Sequence, residues 1–287
     1  MFLQQFANGL IIGSLYTLVA LGLTLVFGSL RIPHFAHGAV FMVGAFISYY
    51  GTSKLQLPFI LAILLSIIIT SIVGVLLEFL FYRPLQGKDE FTFLIAALAA
   101  MIIISSLGFM FFGTQSQIIP SPFSTEILNF AGIVLPVSWV QVFVISIVFI
   151  ILLMLLINKT KIGRSIRASA QNPGAARLVG VSPGKVATMT FIIGSALAAI
   201  SGTMFGVLFP FTPAIGDIVI MKAFIIVVLG GMGSIAGSVI GGLILGLLES
   251  LGGAYISTNW TGTIAFVLLI LFLMVKPSGL FGKDVSH

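Results

Sequence analysis

Cysteine is absent from this chain, which excludes disulfides, thiolate metal sites and cysteine nucleophiles. Charge is scarce as well. Only 7% of the 287 residues are Asp, Glu, Lys or Arg, against about 25% in ordinary soluble domains. Histidine occurs three times, and His37 has no carboxylate at ligand spacing to suggest a metal site. Serine and threonine are plentiful, but none is paired in sequence with a plausible base, so no catalytic constellation is visible and no cofactor is called for. There is no G-x-x-x-x-G-K-[ST], so the chain does not itself bind ATP through a P-loop. The glycine-rich stretch at 231–237 reads G-x-G-x-x-x-G, which departs from the dinucleotide fingerprint, and no βαβ unit surrounds it.

What remains is apolar. Hydrophobic residues make up 59% of the chain and the mean hydropathy is +1.25. A soluble fold of this size cannot hide that much apolar surface, so lipid must act as part of the solvent. Apolar runs of about 20 residues recur throughout. Residues 1–287 therefore read as a single transmembrane domain, an all-α polytopic helical bundle. Clear spans are 9–30, 58–82, 91–113, 139–158, 189–209 and 260–276, and 35–52 and 218–251 are less regular. The total is about eight or nine crossings. The N-terminus lacks a basic n-region, so the first apolar run is expected to be retained as a helix.

The net charge of +6 reflects loops rather than nucleic-acid binding. Placing the loops around Arg31, at 83–90, at 159–188 and after Lys276 in the cytoplasm gathers 11 of the 13 basic residues there. Lys54 stays outside and Lys222 falls in or near the membrane. Such asymmetry orients the chain with its N-terminus outside and its C-terminus in the cytoplasm. The acidic-only connector at 114–138 then lies outside as a surface element, with Trp139 at the outer interface. Small residues every four positions, at Gly194, Ala198, Gly202 and Gly206 and again at Gly233, Gly237 and Gly241, predict close helix packing.

Segments 37–50 and 218–230 are short and glycine-bearing. The second, at 13 residues and about 1.5 Å each, falls short of a roughly 30 Å hydrocarbon core. Short or broken helices in two halves of a transporter point to the substrate path, because their free N–H and C=O groups can face a polar solute. Lys222 is the intramembrane charge hardest to dismiss. It can pair with Asp217 or Glu249, or line the path. Glu78 lies near a helix end, where snorkelling suffices. His37, next to Arg31, reads as a hydrogen-bonded structural residue rather than a proton relay.

The cytoplasmic loop at 159–188 is the most informative segment. Asn172-Pro173 is a good helix start, and Gly180 a good stop. Ser182-Pro183 starts the next helix in the same way. The two-turn helix between them, Pro173 to Val179, is too short to be stable alone in water and needs a partner surface. Arg164, Arg167 and Arg177 would meet acidic groups, backbone acceptors or lipid phosphates. A bulky charge at Ala176 is expected to leave the fold intact and break coupling.

Ala175-Ala176-x-x-x-Gly180 resembles the core of the E-A-A-x-x-x-G loop of ABC importer permeases, with Gly174 at the Glu position. The run from Leu18 to Gly28, then Phe35-Ala36-His37-Gly38, then Val228-Leu229-Gly230-Gly231-Met232-Gly233-Ser234, resembles the branched-chain amino acid permease family, in its LivH-type branch. The likeness runs from about Gly9 to Lys276. It implies a coupling helix involving Arg164, Arg167, Asn172, Ala175, Ala176, Arg177 and Gly180. The short, glycine-bearing segments, read without the likeness, place a candidate substrate path near Phe35, His37, Gly38, Lys222, Gly230, Gly231, Gly233 and Ser234. The implied partners are two cytoplasmic ATPase subunits, a second homologous permease, a periplasmic or lipid-anchored binding protein and membrane lipid. The implied substrate is leucine, isoleucine or valine, with urea and short amides carried by related permeases. A self-contained secondary transporter or channel for a small polar solute is the alternative.

Overall fold

The computed structural model describes residues 1–30, 34–122, 126–130, 132–257, 261–276 and 279–281. Arg31 and Lys283, two of the basic residues assigned above to the cytoplasm, lie outside the described residues. The helices are α1 (Phe2–Leu30), α2 (His37–Tyr49), α3 (Phe59–Leu77), α4 (Glu90–Phe112), α5 (Val137–Lys159), α6 (Lys161–Gln171), α7 (Pro173–Leu178), α8 (Pro183–Leu208), α9 (Ile215–Gly230), α10 (Ile235–Tyr255) and α11 (Thr261–Val275). A π turn extends α2 to Lys54, and π and 3-10 turns extend α3 to Leu85.

Among the described residues, six helices are long and apolar enough to cross a bilayer: Phe2–Leu30, Phe59–Leu85, Glu90–Phe112, Val137–Lys159, Pro183–Leu208 and Ile235–Tyr255. The all-α polytopic reading stands on these. They do not by themselves make eight or nine. The less regular stretch at 218–251 is divided by a turn at 231–234, in line with its glycine-rich interruption, and the helices at 37–49, 215–230 and 261–275 have 13, 16 and 15 residues.

Helix α1 runs through the middle and packs on α10, α8, α9 and α5. From Ile11 to Val26 it is buried on nearly every side, which explains why its apolar pattern has no polar stripe. The outer helices reverse the soluble rule. Helix α3 buries Ala62, Ser66, Thr70 and Gly74 at four-residue spacing and exposes Ile60, Ile68 and Ile72. Lipid is as apolar as isoleucine, so large side chains gain nothing by turning inward. Small residues on the inner face let the backbones approach.

The tightest seams are glycine against backbone. Gly9 and Gly13 of α1 face Leu247 and Leu243 of α10, and Gly242 of α10 returns the contact to Thr17. Thr24 and Ser238 hydroxyls meet at 2.5 Å across the same seam. Gly44 of α2 sits on Ala199 of α8, with Ser48 and Thr203 hydroxyls 2.5 Å apart one turn on. The four-residue stripe on α8 packs as expected, with Gly194 against Gly22 and Gly202 against Phe41. On α10 the second packing row is Gly242 and Gly246, one position beyond the row at Gly237 and Gly241.

The 114–138 connector is more ordered than a plain surface linker. It holds an antiparallel hairpin, β1 (Ile127–Phe130) with β2 (Ile133–Pro136), in the register Ile127↔Pro136. Gln4 clamps Val134 from the start of α1, donating to its carbonyl at 2.9 Å and accepting from its N–H at 2.8 Å. Trp139 is half-buried against Phe209, 6.1 Å between ring centroids. At the opposite end Asp89 caps α4, its carboxylate accepting from Thr92 N at 3.1 Å and Thr92 Oγ1 at 2.7 Å, which holds that carboxyl below its ordinary value.

Candidate functional site: a capped docking element and a short-helix crossing

The 159–188 segment is a helical hairpin on the end of α5. Thr160 accepts from Gly163 N at 3.1 Å and starts α6, an amphipathic helix that composition alone did not reveal. Gly163 lies against the α5 backbone at Ile157, Ile166 is buried, and Arg167 Nη1 donates to the Ile157 carbonyl. Arg167 therefore ties α6 to the C-terminus of α5, whose last carbonyls lack helical partners. Arg164 stays exposed.

Asn172 caps α7 as its sequence predicts, accepting from Ala175 N at 3.0 Å. The helix ends at Leu178, one residue early. Gly180 takes a φ of +82°, the left-handed region that favours glycine, and Val181 N returns to the Ala176 carbonyl at 3.0 Å. Ser182 precedes Pro183 but its side chain does not cap α8. Ala176 faces inward at 3% exposure, so a bulky charge there would disrupt the element rather than probe its outer surface. The outward face belongs to Ala175, Arg177 and two residues the motif did not single out, Leu178 and Val179, 90% and 76% exposed. The signal for them was present: two aliphatic residues inside an otherwise polar, capped segment.

The proposed path residues take different structural parts. Gly38 and Gly216 press on one another's backbone and bring α2 against α9. Gly230, Gly231, Gly233 and Ser234 build the reversal between α9 and α10. Gly231 and Gly233 take φ of +96° and +86°, Gly230 abuts Gly237, Gly233 abuts Gly28, and Ser234 accepts from Gly237 N at 3.1 Å to cap α10. His37 is fully buried, its Nε2 3.2 Å from the Val19 carbonyl, and its ring is 5.6 Å from that of His34. His34 in turn meets Tyr82 Oη at 2.8 Å. Phe35 is half-buried beside Phe224, 5.7 Å between ring centroids, and the two line a shallow apolar cleft with Met232.

Lys222 forms an ion pair with Glu249, 2.8 Å from Nζ to Oε2, and donates to Tyr16 Oη at 2.5 Å. Tyr16 Oη also donates to Glu249 Oε2 at 2.8 Å. The pairing selects Glu249, on the adjacent helix α10, over Asp217. It joins α1, α9 and α10 in a region where an unpaired charge would be expensive.

A family described as "Branched-chain amino acid transport system / permease component" matches residues 5–273. The chain is similar to the high-affinity branched-chain amino acid transport system permease protein BraD of Pseudomonas aeruginosa, 34% identical over 98% of this chain and 96% of that one. Its likeness to the permease protein LivH of Escherichia coli K12 is the same in identity and coverage. The structure resembles that of PsaBC from Streptococcus pneumoniae in complex with Fab, with a TM-score of 0.52, 11% identity, and 98% and 94% of the two chains covered, which speaks to fold alone. With the family match spanning nearly its whole length, the chain belongs to the permease components of branched-chain amino acid transport systems.

Proposed function

We propose that this chain is the membrane-spanning subunit of an ABC importer that moves branched-chain amino acids into the bacterial cytoplasm, using ATP hydrolysed on separate subunits. The observation that carries the reading is the α6–α7 element. A doubly capped short helix and the residue after it leave Arg177, Leu178 and Val179 exposed, on a chain that lacks a P-loop of its own. Exposed aliphatic side chains at a polar membrane end mark a partner surface. One such helix on each of two permeases meets one of two ATPase subunits.

Counting α2, α9 and α11 with the six long helices makes nine crossings. An odd number agrees with an outer N-terminus and an inner C-terminus, and with the basic loops inside. A homologous second permease covers the apolar face around Phe35, Phe224 and Met232, so that substrate passes between the two subunits. A periplasmic or lipid-anchored binding protein delivers it to the 113–136 side.

Affinity purification from native membranes tests the assembly, with two ATPase subunits and a second permease expected to copurify. The pair Leu178→Asp and Val179→Asp should insert and fold normally yet lose at least tenfold in ATPase recovery and in uptake. A stable homo-oligomer without ATPase, active in liposomes without ATP, would overturn the reading.

A further inference from the structure

A cavity of about 360 Å³ opens at the basic end, where the 78–90 turn, α6, α7 and α8 converge. Deep in it is Glu78, 2% exposed. Its Oε2 accepts from Thr188 Oγ1 at 3.2 Å, and its Oε1 has no hydrogen-bond partner among the described residues. Ser169 of α6 also lines the cavity, 4% exposed, with its Oγ likewise unpartnered among the described residues. Buried polar atoms are normally satisfied, and a buried carboxylate oxygen lacking a donor is costly. No donor among the described residues reaches the Glu78 Oε1 oxygen, and an ammonium group supplies N–H donors.

The rim has the opposite character. Arg83, Lys88 and Arg177 line it, with Glu90 beside them, and among the described residues none of the three cations forms an ion pair. The π turn fixes the spacing. Arg83 N donates to the Glu78 carbonyl across that single turn, so a carboxylate and a guanidinium stand on successive turns of one segment. An anion alone meets Glu78, and a cation alone meets the basic rim. A zwitterion, with ammonium and carboxylate on adjacent atoms, suits both. Phe93, Val186 and Phe191 give the wall an apolar stretch that accommodates an aliphatic side chain.

We infer that this cavity binds a free aliphatic α-amino acid from the cytoplasmic side, its ammonium on Glu78 and its carboxylate toward Arg83 and Arg177. Because Arg177 belongs to α7 and Ser169 to α6, occupancy cross-links the coupling element to the α3–α4 turn and holds it still. The transported solute, once accumulated, thereby slows its own import. This consequence rests on the proposed coupling role of α7, whereas the binding site does not.

The test uses the assembled importer in proteoliposomes, with ATP on the ATPase side and labelled leucine with binding protein on the other. Unlabelled leucine added on the ATPase side at millimolar concentration should lower the initial uptake rate at least threefold. Leucinamide and isocaproate, each lacking one of the two charges, should not. Glu78→Gln should weaken leucine binding to the purified importer at least tenfold and abolish the inhibition, with uptake at zero internal leucine within twofold of wild type. Arg83→Gln, at an exposed position that burial does not constrain, should act in the same direction should the first variant fold poorly. ATP-dependent uptake that is indifferent to internal leucine, or binding unchanged in both variants, or isocaproate binding as well as leucine, overturns the inference. Absence of any ATP-dependent uptake in the wild-type importer instead overturns the importer reading.

Discussion

At the scale of single residues, the clearest energetic statement concerns Lys222, Glu249 and Tyr16. Removing one partner of a buried pair leaves a charge without compensation and costs about 3–5 kcal/mol, whereas replacing both by apolar groups of similar size is often close to neutral. Glu249→Leu should therefore lower thermal stability in detergent far more than the double variant Lys222→Met with Glu249→Leu. A double-mutant cycle reads the difference, and additive losses would mean the pair is not coupled. Sequence spacing left Asp217 and Glu249 equally available to Lys222. Asp217 is five positions away on the same helix and Glu249 is twenty-seven, so only the approach of α9 to α10 decides between them. Gly38 illustrates the same limit. A glycine in a short membrane segment fits both a solute path and a helix crossing, and its contact with Gly216 shows the crossing.

At the scale of elements, the sequence was most legible where local rules act alone. Asn172-Pro173 and Gly180 bracket α7 within one residue, because a cap depends only on the few N–H and C=O groups next to it. Helix α6 was not legible in the same way. Its basic, weakly apolar sequence becomes a helix because Thr160 caps it and because Gly163, Ile166 and Arg167 find the end of α5. Asn172→Ala should cost about 1 kcal/mol of local stability, the usual loss for an N-cap. The effect should appear as faster limited proteolysis at 172–182 and reduced coupling, with Asn172→Asp restoring both. Unchanged proteolysis in the alanine variant would show that packing of Ala176 alone holds α7.

At the scale of the whole molecule, the absence of cysteine gives a direct test of orientation. Single cysteines at Lys159 and Ser116, both exposed, should react with a membrane-impermeant maleimide from opposite sides in intact cells and inside-out vesicles. Ser116→Cys should label from outside and Lys159→Cys only after inversion, and the reverse pattern would invert the topology. Composition suffices to make the chain an all-α membrane protein and charge asymmetry to predict an orientation, since lipid solvation and the bias of Lys and Arg act on segments whatever their neighbours. Motif spacing suffices for a capped short helix and a family resemblance. The structure alone decided that α2 meets α9 at Gly38 and Gly216, that Ala176 faces inward while Leu178 and Val179 face out, and that Glu78 lines a cavity. Each of these depends on which backbone another segment presses against. In a chain where lipid and protein interiors are equally apolar, hydrophobicity cannot tell those two surroundings apart.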